Sequence, residues 1–262
     1  MQTVFITGVS RGIGKALAEK FLSKNYDVIG TSTSGKADIK HKNLTLLKLD
    51  LSSSKSIEEC VKDFKKLNKK IDILINNAGI WSGQEDNPQR LDMKNLRNVL
   101  EVNLFGTIEL TEKLLDSINK SGKIINISSS AGSLNKIYHA DYPDYSISKA
   151  ALNMYTRTLA IRLNQKNILV ASIHPGWVKT DMGGKEADIS PEEAAEGIYQ
   201  RIITLKETGK FWFKQDKFPW WEHAKTKLFK LQLFLLTIYS PVLPRRDRVL
   251  FLNIYNLKII LI

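Results

Sequence analysis

Among 262 residues there is a single cysteine, Cys60, and only four histidines. One thiol cannot close an internal disulfide, so nothing in the chain calls for an oxidising compartment. The scattered histidines and the lone cysteine form no spacing that would hold a metal ion. No apolar run reaches the roughly twenty residues needed to cross a bilayer. A basic leader with an apolar core and a cleavage site is also missing: Met1-Gln2-Thr3-Val4-Phe5-Ile6-Thr7-Gly8 goes straight into a β-branched pattern. A cytoplasmic protein is the expectation. Internal repeats and low-complexity linkers are lacking too, which points to one domain.

Acidic residues are the minority, 27 against 39 Lys and Arg, a net charge of +12. Such a surplus raises the question of nucleic acid. The lysines, however, alternate with acidic residues, as in Lys62-Asp63-Phe64-Lys65-Lys66, which is the pattern of a solvated helix face. No nucleic-acid partner is expected; the charge serves solubility and attracts small anions. With 43% hydrophobic and 25% charged residues the chain is ordinary for a globular protein, and it is long enough to bury one α/β core.

Short β-branched runs alternate with helical patterns as far as about residue 213. Thr3–Thr7, Tyr26–Ser32, Leu44–Leu49, Ile71–Asn76, Lys123–Ser128 and Ile168–His174 read as strands. Gly12–Lys24, Ser54–Asn68, Leu91–Asn119 and Tyr145–Asn164 read as helices, and Ser190-Pro191-Glu192-Glu193 opens another with a capping box. This alternation predicts an α/β fold, a doubly wound parallel sheet covered on both faces. The domain is expected over 1–221. Residues 222–262 break the rhythm as an apolar and basic C-terminal extension: Leu231–Ile238 and Val249–Ile262 flank Pro241, Pro244 and Arg245-Arg246-Asp247-Arg248. A docked tail, a dispensable extension or a segment touching an anionic membrane surface would each fit that composition.

Thr7-Gly8-Val9-Ser10-Arg11-Gly12-Ile13-Gly14 lies between the first strand and the first helix. Glycines there let the backbone turn tightly and approach a diphosphate, whose charge the free amides of a helix N-terminus stabilise. The end of the second strand sets cofactor choice, because NAD selection places a carboxylate there for the ribose 2′-hydroxyl. Here Gly30-Thr31-Ser32-Thr33-Ser34-Gly35-Lys36 brings hydroxyls and a lysine, with no carboxylate until Asp38. Arg11 can reach the same region, and a guanidinium suits a phosphate. The charge balance favours NADP(H) over NAD(H).

Tyr145-Ser146-Ile147-Ser148-Lys149 sets a phenol and an ammonium four residues apart on one helix face. A free phenol titrates near 10, too high for easy proton exchange at neutral pH; a neighbouring cation is expected to lower it. The preceding strand ends in Ser128-Ser129-Ser130-Ala131-Gly132. A serine at a parallel strand's carboxyl end sits where open α/β sheets bind ligands. Alternation alone leaves open which serine points inward.

Together these segments resemble the short-chain dehydrogenase/reductase family. The likeness runs from Thr3 to about Trp221 through Thr7–Gly14, Asp50-Leu51, Asn76-Asn77-Ala78-Gly79, Asn103-Leu104-Phe105-Gly106, Ser128–Gly132, Tyr145–Lys149, and Pro175-Gly176 leading to Thr180. The resemblance implies a Rossmann-type sheet with Gly8, Ser10, Arg11, Gly12, Ile13 and Gly14 around the dinucleotide. It also implies Asp50 and Leu51 near the adenine, with Asn77, Ala78 and Gly79 lining the trough. Pro175, Gly176, Val178 and Thr180 would border the nicotinamide, and Arg11 with Thr33 would favour a 2′-phosphate. The family's Ser-Ser-x-x-Gly pattern selects Ser129 as catalytic beside Tyr145 and Lys149. Asn103 would hold a water linking Lys149 to solvent, and Lys149 would also bind the nicotinamide ribose. Tyr145-x-x-Ser148-Lys149-Ala150-Ala151-Leu152-Asn153-Met154 and the run from His174 to Gly184 are similar to the Sniffer and C-factor-like carbonyl-reductase branch.

The activity so implied is hydride transfer between the nicotinamide and a small carbonyl or alcohol substrate, in a homo-dimer or homo-tetramer. Trp81, Tyr138, Trp177 and Met182 are expected to border the cleft and suit an apolar or aromatic carbonyl, although each could equally be packing. His139 and His174 carry no assigned role. The sixteen positions from Ser129 to Tyr145 predict a long loop, Ser133–Asp144, at the rim. The alternatives are a non-catalytic NADP-binding sensor and a membrane-surface reductase of lipid-like carbonyls.

Overall fold

The computed structural model describes residues 1–83, 90–135 and 141–218. The expectations for Tyr138, His139, Trp221 and the extension 222–262 lie outside them.

Among the described residues, eight strands form one sheet in the order β3-β2-β1-β4-β5-β6-β7-β8. They are β1 (Thr3–Ile6), β2 (Asp27–Ser32), β3 (Leu44–Lys48), β4 (Ile71–Asn76), β5 (Ile118–Ile127), β6 (Leu169–His174), β7 (Lys210–Phe213) and β8 (Asp216–Lys217). All adjacent pairs run parallel except β7 with β8. Six α-helices among the described residues accompany them: α1 (Gly12–Ser23), α2 (Ser54–Lys66), α3 (Met93–Leu100), α4 (Thr107–Leu114), α5 (Pro143–Arg162) and α6 (Pro191–Thr204).

The two-residue period of the strands divides their apolar side chains between two cores. Val4, Ile6, Ile73, Ile75, Ala171 and Ile173 pack with Leu17 and Phe21 of α1 and Ile198 and Ile202 of α6. The alternate positions Phe5, Leu74, Ile124 and Val170 pack with Phe64 of α2, Leu110 of α4 and Leu152 and Leu159 of α5. On this second face the strand ends turn polar. Asn76 donates to Thr111 Oγ1 (2.9 Å) and to Asn126 Oδ1 (2.8 Å), and Asn126 donates to Thr156 Oγ1 (2.8 Å). These bonds fix how α4 and α5 sit over the sheet where the site begins.

The stretch expected as one helix, Leu91–Asn119, is α3, a π-turn over Glu101–Gly106, then α4, and it gives way to β5 at Ile118. Pairing with β4 overrides helix propensity there: Ile118 lies opposite Ile71, and the register shifts before Lys123 meets Ile73. Helix α5 starts at Pro143, two residues ahead of the expected Tyr145, because proline's missing N–H costs nothing in a first turn. The capping box at Ser190 forms as expected, with Glu193 as its partner.

The chain leaves β1 toward β2 and β3 and returns on its other side through β4. This reversal opens a crevice at the carboxyl ends of β1 and β4, the place where sheets of this type take ligands.

Candidate active site

Thr7, at the end of β1, spans the crevice. Its hydroxyl accepts from the amides of Asn77 and Ala78, both at 2.9 Å, while Asn77 Nδ2 returns a bond to the Thr7 carbonyl at 3.0 Å. Gly8 follows with φ +74°, and a Cβ there would stand 3.0 Å from that of Ala78. A Cβ on Gly14 would overlap the Gly8 carbonyl oxygen. The loop therefore lies flat against Ala78, leaving a trough above the glycines. No side chain caps α1, whose first turn carries no acidic residue, and Ser10 and Arg11 are exposed while Ile13 packs on the core. A helix N-terminus with uncapped amides beside a glycine cradle fits the diphosphate of a dinucleotide.

The remaining trough residues surround this loop. Thr180, beyond β6, packs onto Gly12, where a Cβ would meet its Cγ2 at 3.2 Å; its hydroxyl accepts from the Gly183 amide at 3.0 Å. Pro175 and Gly176 follow β6 directly, and Val178 is buried by bridging to Ile189. Past β3, Asp50 accepts from the Ser52 amide (2.9 Å) and hydroxyl (2.7 Å), which holds its carboxyl below the ordinary range. Leu51 is buried, and its carbonyl oxygen occupies the space a Cβ on Gly106 would need. At the end of β2, Thr33 is exposed and Asp38 is turned toward Lys15, 3.8 Å away. Arg11 turns toward the segment that follows β6. Its guanidinium is paired with Asp181 at 2.7 Å, both side chains largely exposed, and such a pair is weak and easily exchanged.

Ser129, Tyr145 and Lys149 come together beyond β5. Of the three serines left open, Ser128 is buried and donates to Asn153 Oδ1 at 2.7 Å, and Ser130 starts a 3-10 turn. Ser129 accepts from the Ala131 amide at 3.1 Å and lies close enough to the Tyr145 phenol to work against the rise in its pKa. Gly132 closes that turn against α5, where a Cβ would press on the Lys149 carbonyl carbon at 2.6 Å. Lys149, buried, donates to the Ile127 carbonyl at 3.0 Å, and its Nζ lies 5.5 Å from the centroid of the Tyr145 ring. Asn103, also buried, stands on the π-turn. Its Oδ1 accepts from the Ile80 amide (2.8 Å), and its Nδ2 donates to the Ile80 carbonyl (2.9 Å) and to Ser148 Oγ (3.1 Å).

Burial, not the cation, dominates the titration of the pair. Desolvation pushes the Tyr145 phenol up to about 12 against the lowering effect of Ser129, whereas the sequence led us to expect an acidified phenol. Taking the charged phenolate out of water outweighs a cation 5.5 Å from the ring centroid. Desolvation also brings Lys149 down to about 8. The cluster thus holds a protonated phenol beside an amine that changes charge near neutrality. His174 is instead a packing residue: half-buried against Phe213 and Phe218, it is pushed down to about 4 by desolvation.

Trp177 and Met182 are partly exposed near Thr180, with Trp177 donating to the Gly183 carbonyl at 2.8 Å. Trp81 meets Tyr142 edge-to-face at 6.1 Å, and Tyr142 meets Tyr145 at 6.3 Å, an aromatic wall that ends on the phenol. Sequence reasoning passed over Tyr142, Ser82 and Asp144. Asp144 is fully buried, accepting from the Tyr145 amide at 2.6 Å and from the Ser82 hydroxyl. The run Tyr142-Pro143-Asp144, a helix start with an acidic first turn, was the available signal.

The short chain dehydrogenase family model matches residues 2–190, and the chain belongs to that family of oxidoreductases. It is 36% identical over 188 residues to the 3-oxoacyl-acyl-carrier-protein reductase of Aquifex aeolicus, covering 68% of this chain and 74% of that protein. Among solved structures it resembles an NADPH-bound carbonyl reductase from chicken fatty liver, 28% identical, with a TM-score of 0.77 over 84% of this chain and 94% of the other. The carbonyl reductase Sniffer of Drosophila melanogaster is 27% identical, with a TM-score of 0.74 over 82% and 97%. Among the described residues no helix is long and apolar enough to cross a membrane, and no cluster of His, Cys, Asp and Glu could hold a metal ion.

Proposed function

We propose that this chain is an NADPH-dependent carbonyl reductase. The observation that carries the reading is the Tyr145 phenol, beside Ser129 and neighboured by the Lys149 amine, at the carboxyl end of β5. When bound, the cofactor supplies a hydride for a carbonyl carbon. Tyr145 gives its proton to the carbonyl oxygen, and its burial keeps that proton available at neutral pH. Ser129 donates a second hydrogen bond to the same oxygen as charge develops on it. Lys149 returns a proton to the phenol side, and Asn103, next to Gly79 and Lys149, holds a water that links it to solvent.

Cofactor choice rests on Arg11 and Thr33. No carboxylate stands at the end of β2, and Asp38 is already turned toward Lys15. Arg11 can leave its exposed partner Asp181 for a 2′-phosphate. Apolar side chains exposed along α5 at a seven-residue spacing, Ile147, Met154 and Ile161, support a homo-dimer or homo-tetramer. The apolar runs and the Arg245-Arg246-Asp247-Arg248 cluster of residues 222–262 support contact with an anionic membrane surface.

A second reading has a specific basis. The Aquifex relative is a 3-oxoacyl-acyl-carrier-protein reductase, so the carbonyl could belong to a 3-oxoacyl thioester. An NADPH-consumption screen over aldehydes, ketones, quinones and a 3-oxoacyl thioester, with NADH in parallel, separates the two. The first reading expects turnover of simple carbonyls with NADPH above NADH. Turnover of the thioester alone supports the second, and consumption of neither cofactor with any carbonyl overturns both.

A further inference from the structure

Three consecutive residues after the cofactor trough are held from both ends. Ile80 is bracketed through its own N–H and carbonyl by the Asn103 amide, at 2.8 and 2.9 Å. Two residues on, the Ser82 hydroxyl donates to Asp144 Oδ2. Trp81 lies between these fixed points, set edge-to-face against Tyr142, and its indole Nε1 is buried with no hydrogen-bond partner among the described residues.

Asp144 explains why the second fixed point matters. Its carboxyl is 0% exposed, so both oxygens need donors. One takes the Tyr145 amide at 2.6 Å, in the first turn of α5, and the other takes Ser82. A single buried side chain therefore ties the backbone of the residue that carries the phenol to the segment that carries Trp81. Loss of Ser82 would leave a buried carboxyl oxygen unpaired and free that segment to move relative to Tyr145.

We propose that Asp144 and Ser82 form a latch that sets the distance between the Trp81 wall and the Tyr145 phenol. Asp144 acts as a positioning residue, and Trp81 selects flat, ring-bearing carbonyl compounds over short aliphatic ones. This rests on the carbonyl-reductase reading above. The aromatic chain Trp81–Tyr142–Tyr145 offers ring edges and faces along which a planar substrate stacks with its carbonyl at the phenol. A short aliphatic aldehyde touches the phenol without reaching the wall.

The test uses the full chain with Ser82→Ala, Asp144→Asn and the double variant, read with naphthaldehyde and with propanal. In Ser82→Ala the KM for naphthaldehyde rises about tenfold, the loss expected when a buried acceptor is left unpaired, while kcat for propanal stays within about twofold. Asp144→Asn is the conservative rescue. Its oxygen still accepts from the Tyr145 amide and its NH2 donates to Ser82, so naphthaldehyde KM stays within about threefold of wild type. Adding Ser82→Ala to Asp144→Asn brings the loss back. Equal loss on both aldehydes from Ser82→Ala, or wild-type KM for naphthaldehyde in that variant, overturns the latch. Amide hydrogen exchange of the cofactor-free protein supplies a readout that needs no turnover. Faster exchange at Ile80–Gly83 in Ser82→Ala, with β4 and β5 unchanged, is expected, and unchanged exchange there overturns the latch. If neither aldehyde is consumed by wild type while exchange changes as expected, the functional reading fails and the latch stands as structure.

Discussion

The Asn103 amide closes on the main chain of Ile80 from both sides, accepting from its N–H at 2.8 Å and donating to its carbonyl at 2.9 Å. The resemblance assigned Asn103 to a water relay. The structure adds a bracket that joins the π-turn to the loop leaving β4, and both partners come from a side chain only 1% exposed.

Replacing Asn103 with leucine keeps the volume and removes the bracket. Two backbone groups of Ile80 then lose their partner, which costs about 2–4 kcal/mol, and the melting temperature falls roughly 2–4 °C for each kcal/mol. Differential scanning calorimetry reads the change. A variant melting with wild type contradicts the bracket.

The pH dependence of catalysis follows from Lys149. Carbonyl reduction consumes a proton, and the amine that replenishes Tyr145 is an ammonium only below about 8. The rate of reduction is expected to fall as pH rises through that value, and the rate of alcohol oxidation to rise. Lys149→Met abolishes the inflection along with most of the activity. A wild-type profile flat across this range contradicts the role given to the lysine.

Arg11 separates the two dinucleotides. Arg11→Ala weakens NADPH binding by roughly tenfold to a hundredfold, the range of one charge-assisted hydrogen bond, and leaves NADH within about threefold. Fluorescence titration of both cofactors gives the comparison. Equal loss for the two would mean that the guanidinium serves the loop and not the 2′-phosphate.

The strands and the glycine loop were legible because their periods are short and local. Val4, Ile6, Ile73 and Ile75 alternate with residues facing the other core, and no tertiary information is needed to read that. The early start of β5 was not legible. Ile118 belongs to a strand only because Ile71 lies opposite it, a partnership between residues far apart in sequence. Strand β7 was hidden for the same reason: its register is set by Ala171–His174. At the site, Tyr145 and Lys149 stood out by their helical spacing. The raised phenol, the Ser82–Asp144 bond and the turn of Arg11 toward Asp181 depend on burial and on loops meeting in space. None of these leaves a mark in the spacing of residues.

The most direct test of the account is Tyr145→Phe, which removes one oxygen and leaves the ring that packs against Tyr142. NADPH consumption and NADPH binding are measured side by side on the same preparation. Turnover is expected to fall by about a hundredfold or more while the dissociation constant stays within about threefold. A variant that binds NADPH normally and keeps more than about a tenth of wild-type turnover would contradict the proton-donor role of Tyr145.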